Sequence, residues 1–395
     1  MVAKRAAGRG ATASGGVVIP LALPLIADKE AEAARAAVLS GWVSQGPEVA
    51  AFEREFAALV GASHACAVSS CTGALHIALK ALDIGPGDEV IVPTHSFIAT
   101  ANCVRFCGAK PVFVDIAPEG HNIDPERAAD AITPRTRAIL AVHQMGMPCD
   151  LAALAALARR HGVALVEDAA CAAGSQIRLD DAWEAIGRPH GDVACFSFHN
   201  RCVITTGEGG MLTTRDPALD EKFRLLRAHG RSEPDPSRSG GRVILDDYLM
   251  VGFNYRMTDI QAAIGRSQLA RLPDIVARRR RLAARYQALL GAVEDLGLPS
   301  EPQWARSNWR SYCVRLPDAA DQRGVMQALL DRGVATQRGV MCAHREPPYA
   351  NGAVHADLRL SERAQDRTIL LPLYAQMSDG DQECVANALR EAVRI

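Results

Sequence analysis

Residues 195–211 read Cys-Phe-Ser-Phe-His-Asn-Arg-Cys-Val-Ile-Thr-Thr-Gly-Glu-Gly-Gly-Met. The chemistry of this stretch centres on Cys202. His199 and Arg201 stand close to it in the chain, and nearby cations favour the thiolate, the reactive form of cysteine. Downstream, Thr206-Gly-Glu-Gly-Gly210 supplies a backbone free to adopt conformations closed to other residues. The residues alone leave Cys202 open as nucleophile, proton carrier or inert thiol.

Outward from this stretch, short apolar runs alternate with amphipathic ones. Runs at 65–68, 89–92, 111–114, 138–142 and 164–166 have the length and composition of strands. Helical spacing follows at 72–82, 99–106, 125–131 and 150–161. The alternation predicts an α/β fold, a mostly parallel sheet with helices on both faces. Ligands of such sheets gather at the carboxyl ends of the strands, where the motif loops fall here. An arginine-rich helical stretch at 271–290 carries the chain toward a smaller C-terminal α+β domain. The expected division is a tail at 1–16, a large domain at 17–290 and a small domain at 291–395, with small-domain strands near 311–316 and 334–337.

A chain of 395 residues with 48% hydrophobic content can bury a core of that size. Its net charge of -1 gives no electrostatic ground for a nucleic-acid or anionic-membrane partner. No apolar stretch is long enough to span a bilayer. The first sixteen residues are small and basic without an apolar segment, so they read as a disordered tail rather than a signal peptide. Eleven cysteines without a paired C-x-x-C pattern point to reduced thiols and a cytoplasmic setting. Cys103 and Cys107 lie one helical turn apart, but core packing explains them better than a metal, and no metal site is expected.

Five further motifs punctuate the chain. They are Ser40-Gly-Trp-Val-Ser-Gln-Gly-Pro47, Val68-Ser-Ser-Cys-Thr-Gly-Ala-Leu75, Gly85-Pro-Gly-Asp-Glu-Val-Ile-Val-Pro93, Val166-Glu-Asp-Ala-Ala-Cys171 and Gly252-Phe-Asn-Tyr-Arg-Met-Thr-Asp-Ile-Gln-Ala-Ala-Ile264. In order and spacing, together with 195–211, they resemble the DegT-type sugar aminotransferases, enzymes of fold type I that use pyridoxal phosphate (PLP). The resemblance runs from about residue 19 to the C-terminus. In that family the central segment carries a lysine whose amine attaches covalently to the cofactor and later moves a proton on the substrate. Here Cys202 stands at that lysine's position, and Asn200 stands where proline is common. A thiol cannot form the lysine's imine.

The resemblance implies roles residue by residue. Asp168, at the end of a buried strand, matches the aspartate that pairs with the pyridine nitrogen; by itself it could equally be a helix cap or an ion-pair member. Ser70, Cys71 and Thr72 stand at a strand-to-helix turn suited to a phosphate, although ordinary capping has the same spacing. Ser197 matches a second phosphate hydroxyl, Phe97 the aromatic that stacks on the ring, and Asn254 a residue supplied to the phosphate by the other subunit. His143 and His199 fall in motifs near the cofactor as acid–base candidates, and Arg201 and His344 are candidates for substrate contact. For His143, His199 and His344 alike, a structural role is at least as good a reading.

Retention of this set implies PLP or its amine form PMP, bound non-covalently, in a homodimer with composite sites acting on a sugar or small metabolite of a biosynthetic pathway. Two other classes remain open. One is a PLP-independent transferase, such as an acyl transferase using a carrier protein, with Cys202 as nucleophile. The other is a non-catalytic partner of a lysine-bearing aminotransferase.

Overall fold

Two helices, α1 (Asp28–Leu39) and α2 (Pro47–Val60), lead into the alternating core of the protein. In this computed structural model, which describes residues 18–232, 245–350 and 357–393, the expected tail at 1–16 lies outside the described residues. The core then runs β1 (His64–Val68), α3 (Cys71–Ala81), β2 (Glu89–Pro93), α4 (Ile98–Phe106), β3 (Lys110–Val114), α5 (Pro125–Asp130), β4 (Thr136–Val142), α6 (Leu151–His161) and β5 (Ala164–Asp168). A hairpin of β6 (Gln176–Leu179) and β7 (Ala182–Ala185) precedes β8 (Val193–Ser197), β9 (Gly210–Thr214), α7 (Pro217–Arg227), α8 (Asp259–Leu269) and α9 (Leu272–Leu290).

Seven strands form the central sheet in the order β1-β9-β8-β5-β4-β2-β3. Pairs from β3 through β8 are parallel, while β9 runs antiparallel to both its neighbours. Alternate residues of each buried strand point to opposite faces. Ile91, Ile139, Leu165 and Phe196 pack with Phe52 and Phe56 of α2 and Leu154 of α6. Val90, Leu140, Val166 and Cys195 pack on the other face with Leu75 of α3, Val104 of α4 and Phe223 of α7. Helices therefore cover both faces, as the near-continuous apolar strands require. Cys103 and Cys107 belong to this second core.

The α9 helix starts in the first core, through Leu272 and Ile275, and ends in a third one through Tyr286 and Leu290. The chain continues through β10 (Ala305–Arg306), which joins the β6–β7 hairpin, and then β11 (Tyr312–Arg315), α10 (Gln322–Asp331), β12 (Gln337–Arg338), α11 (Arg359–Arg367), β13 (Thr368–Leu371) and α12 (Asp379–Ala392). The small sheet has the order β11-β13-β12 and is antiparallel. Its central strand, β13, is absent from the sequence reading because four residues directly after a helix offer little periodicity. The segment near Ile19, assigned with the large domain, pairs instead with Val334, and Leu21 accepts a bond from the Leu373 amide at 3.1 Å.

Candidate functional site

Register places Asp168 opposite Val142 on one side and Cys195 on the other, at the carboxyl edge of the sheet. Only 5% of the residue is exposed. Its Oδ2 accepts from the Thr100 hydroxyl at 2.9 Å and its Oδ1 from the Ala170 amide at 3.2 Å. Burial raises the Asp168 carboxyl above its usual range, and these two bonds only partly oppose that. Among the described residues it has no lysine or arginine in an ion pair. A buried carboxylate so placed is suited to a cationic N–H group of a bound molecule.

The α3 N-terminus faces the same edge. Ser70 is its cap, with Oγ accepting from the Gly73 amide at 3.1 Å, so the hydroxyl serves the helix. The amides of Cys71 and Thr72 are first-turn donors with no intrahelical acceptor, an arrangement suited to an anion. Gly210 lets β9 approach this turn: a Cβ there would lie 2.6 Å from the Ser70 carbonyl and 2.7 Å from the Cys71 nitrogen. Cys71 turns its sulfur toward the Cys195 carbonyl at 3.8 Å, and burial pushes its thiol well above the ordinary value.

Cys202 follows β8 in a tight turn, with its amide donating to the His199 carbonyl at 2.9 Å. Its sulfur is 3.5 Å from the Ala170 carbonyl, which connects it to the residue whose amide holds Asp168. The Ser197 hydroxyl hydrogen-bonds the thiol, and Ser197 Oγ also accepts from the His199 amide at 3.3 Å. Burial pushes the Cys202 thiol up to about 11, outweighing Arg310, the strongest cation acting on it. The expectation that Arg201 and His199 lower it is therefore corrected. Desolvation of the thiolate costs more than the neighbouring charge returns.

Phe97 caps α4 one turn before Thr100 and is 68% exposed. Its ring thus stands open near the Asp168 edge. Asn254 is exposed beside the bridge between its backbone and Ala228. His199 is partly exposed, with Nδ1 accepting from the Arg201 amide at 3.4 Å and Nε2 3.8 Å from Glu208.

Two histidines are held differently from the expectation. His143 is fully buried; Nδ1 accepts from the Cys149 amide at 3.0 Å and Nε2 meets Glu167 at 3.1 Å. His344 meets Thr94 at 2.7 Å through Nδ1 and Glu362 at 3.1 Å through Nε2. Neither offers a free ring nitrogen to the cleft. They brace β4 and the small-domain loop. Thr100 and Arg310, absent from the sequence reading, touch or act on the site; a lone threonine on a helix and a lone arginine before a strand carry no motif signal.

The profile of the DegT/DnrJ/EryC1/StrS aminotransferase family matches residues 24–390. Over 383 residues the chain is 40% identical to the spore coat polysaccharide biosynthesis protein SpsC of Bacillus subtilis (strain 168), covering 95% of this chain and 97% of SpsC. The aminotransferase TlmJ from Streptoalloteichus hindustanus superposes with a TM-score of 0.87 at 36% identity, covering 95% of this chain and 99% of TlmJ. Spr1654 from Streptococcus pneumoniae in its PMP form gives a TM-score of 0.89 at 25% identity, with 95% and 99% of the two chains covered.

Proposed function

The chain belongs to the DegT/DnrJ/EryC1/StrS aminotransferase family, and from that premise we propose a PLP- or PMP-binding protein that holds its cofactor without a covalent bond. Its substrate is a sugar or related small metabolite bearing a keto or amino group, in a biosynthetic pathway. SpsC, named for polysaccharide biosynthesis, and the PLP and PMP forms of Spr1654 support the two halves of this reading. The observation that carries it is that a buried Asp168, which among the described residues pairs with no lysine or arginine, and the α3 N-terminus both lie at the carboxyl edge of the sheet, where Cys202 follows β8.

When bound, the cofactor supplies an electron-withdrawing ring that stabilises negative charge on a substrate carbon. The chain's residues divide the remaining work. Asp168 accepts from the ring N–H and keeps that nitrogen protonated. The amides of Cys71 and Thr72, with the hydroxyls of Thr72 and Ser197, hold the phosphate, and Phe97 covers a ring face. Cys202 holds a proton on Sγ at neutral pH, which suits it to carry a proton rather than to attack. The same fact weighs against the nucleophile and carrier-protein alternative, since an acyl transferase needs the thiolate. Asn254, exposed beside an apolar surface, supports a homodimer with composite sites.

Spectroscopy and mass spectrometry test the reading. PMP binds the wild type by calorimetry, and Asp168→Ala weakens it by about tenfold or more, the scale of a charged hydrogen bond. Borohydride reduction after PLP addition leaves no pyridoxyl-lysine in the site. Failure to bind either cofactor form, or a lysine adduct there, overturns the proposal.

A further inference from the structure

Two cysteines stand on adjoining turns at the carboxyl edge of the sheet, and the proposed function uses only one of their thiols. Strands β5 and β8 are parallel neighbours, with Asp168 opposite Cys195. Cys171 lies on the turn that leaves β5, three residues past Asp168, and Cys202 on the turn that leaves β8. Both residues are partly exposed and both thiols are free. Cys202 Sγ is directed at the Ala170 carbonyl oxygen, 3.5 Å away, and Ala170 is bonded to Cys171. Across a planar peptide a carbonyl oxygen stands about 2.8 Å from the next Cα. The Cys202 sulfur therefore lies within about 6 Å of the Cys171 Cα.

Neighbouring strands run about 4.8 Å apart, inside the roughly 7 Å between Cα atoms that a disulfide tolerates. The first turn is pinned, because Asn308 Nδ2 donates to the carbonyls of Cys171 and Ala173, each at 2.8 Å. An ionised Cys171 raises the Cys202 thiol further, and both sulfurs act on the Arg201 guanidinium. Other thiols at this edge are engaged elsewhere. Cys71 turns its sulfur to the Cys195 carbonyl at 3.8 Å and Cys103 to the Thr100 carbonyl at 3.0 Å, while Cys195 is fully buried within β8.

We propose that Cys171 and Cys202 are a modification site, in which a reversible disulfide forms between them with a low-molecular-weight disulfide as oxidant. The Cys171 thiolate attacks one sulfur of the small disulfide and displaces its other half as a thiolate. The Cys202 thiolate then attacks the Cys171 sulfur of the mixed disulfide and displaces the second half. Two protein thiols lose two protons and two electrons, and the small disulfide leaves as two thiols. Burial keeps the Cys202 proton on at neutral pH, so the second step is the slow one and quickens as pH rises. The bond ties the turn whose Ala170 amide holds Asp168 to the turn after β8. A half-cystine has no proton to give, so oxidation stops proton transfer by Cys202. That consequence rests on the proton-carrier reading, whereas the bond itself does not.

The test incubates the reduced full chain, as isolated, with excess oxidised glutathione at mildly alkaline pH. Remaining thiols are then blocked with N-ethylmaleimide and the unreduced peptides are mapped by mass spectrometry. A cross-linked peptide holding Cys171 and Cys202 dominates the map, lighter than its two parts by two hydrogens, and a phosphine reductant removes it. Cys384→Ser, which deletes the exposed thiol, leaves the yield within about twofold. Cys171→Ser abolishes the cross-link; if that variant does not fold, the wild-type map decides alone. Separate alkylation of Cys171 and Cys202 overturns the pair. So does a bond from Cys202 to Cys71, or the scatter of pairs that unfolding gives. A wild type that fails to bind PMP defeats the cofactor reading and leaves this map standing. Absence of the cross-link in a protein that binds PMP defeats the pair alone.

Discussion

At the residue scale the site turns on the protonation of one sulfur. With the Cys202 thiol pushed up to about 11, its ionised fraction at pH 7 is roughly one in ten thousand, against roughly one in thirty for a free cysteine. The sign follows directly: a raised value keeps the proton on, so nucleophilic reactivity grows as pH rises toward 11 and is small below it. Iodoacetamide at pH 7 therefore labels the exposed Cys384 before Cys202, and the Cys202 rate climbs by about tenfold per pH unit until its plateau. Peptide mapping over a pH series reads this out. Fast labelling of Cys202 at neutral pH would restore the nucleophile reading. The cysteine at position 202 and its motif are legible in the sequence, but the thiol's resting state is not. Burial depends on what packs over the turn, and the opposing cation comes from the approach to β11.

At the element scale the decisive contact is between β9 and the first turn of α3. Gly210 passes so close to Ser70 and Cys71 that a methyl group would meet backbone atoms, which cannot rotate away. Gly210→Ala is expected to destabilise the protein by about 1–3 kcal/mol, as overpacking does. Displacing the turn also weakens PMP binding, because the donors of α3 lose their aim. Gly85→Ala, where nothing lies within 4 Å of the new atom, serves as control and changes neither quantity. Thermal denaturation and calorimetry check both variants. The same long-range logic completes α2. Its Gly46 cap has no side chain, and Asp259 of α8 accepts from the amides of Gly46, Glu48 and Val49 instead. Motif spacing marks both segments but does not show that one caps the other.

For the whole molecule the open question is what covers its exposed apolar surface. Leu245, Tyr248, Leu249 and Val251 stand out on one short segment beside Asn254, with Leu245 81% and Val251 89% exposed. Patches of this kind mark association surfaces. The homodimer expected here, burying on the order of 2,000 Å² through this segment, would cover the patch and bring Asn254 to a second site. Sedimentation velocity at micromolar protein gives the dimer mass, and Leu249→Asp with Val251→Asp shifts it toward monomer while lowering PMP affinity. A wild-type monomer under those conditions defeats the composite site. Among the described residues no helix is long and apolar enough to cross a membrane.

The sequence by itself determined the layered α/β architecture, the strands β1 to β5 to within a few residues, and the family, because periodicity and motif order are local properties of the chain. It also singled out position 202 as the place where a thiol is expected to stand at the family's lysine position. Only the tertiary structure decided which marked residues are free to act. His143 and His344 sit in suitable motifs, yet Cys149, Glu167, Thr94 and Glu362 occupy their ring nitrogens. Thr100 reaches Asp168, and the charge of Arg310 acts on Cys202, through packing that brings distant segments together. Hydrogen-bond occupancy, burial and the field at a buried atom belong to the folded assembly of groups. They depend on distances between segments far apart in the chain, and local sequence carries no direct record of those distances.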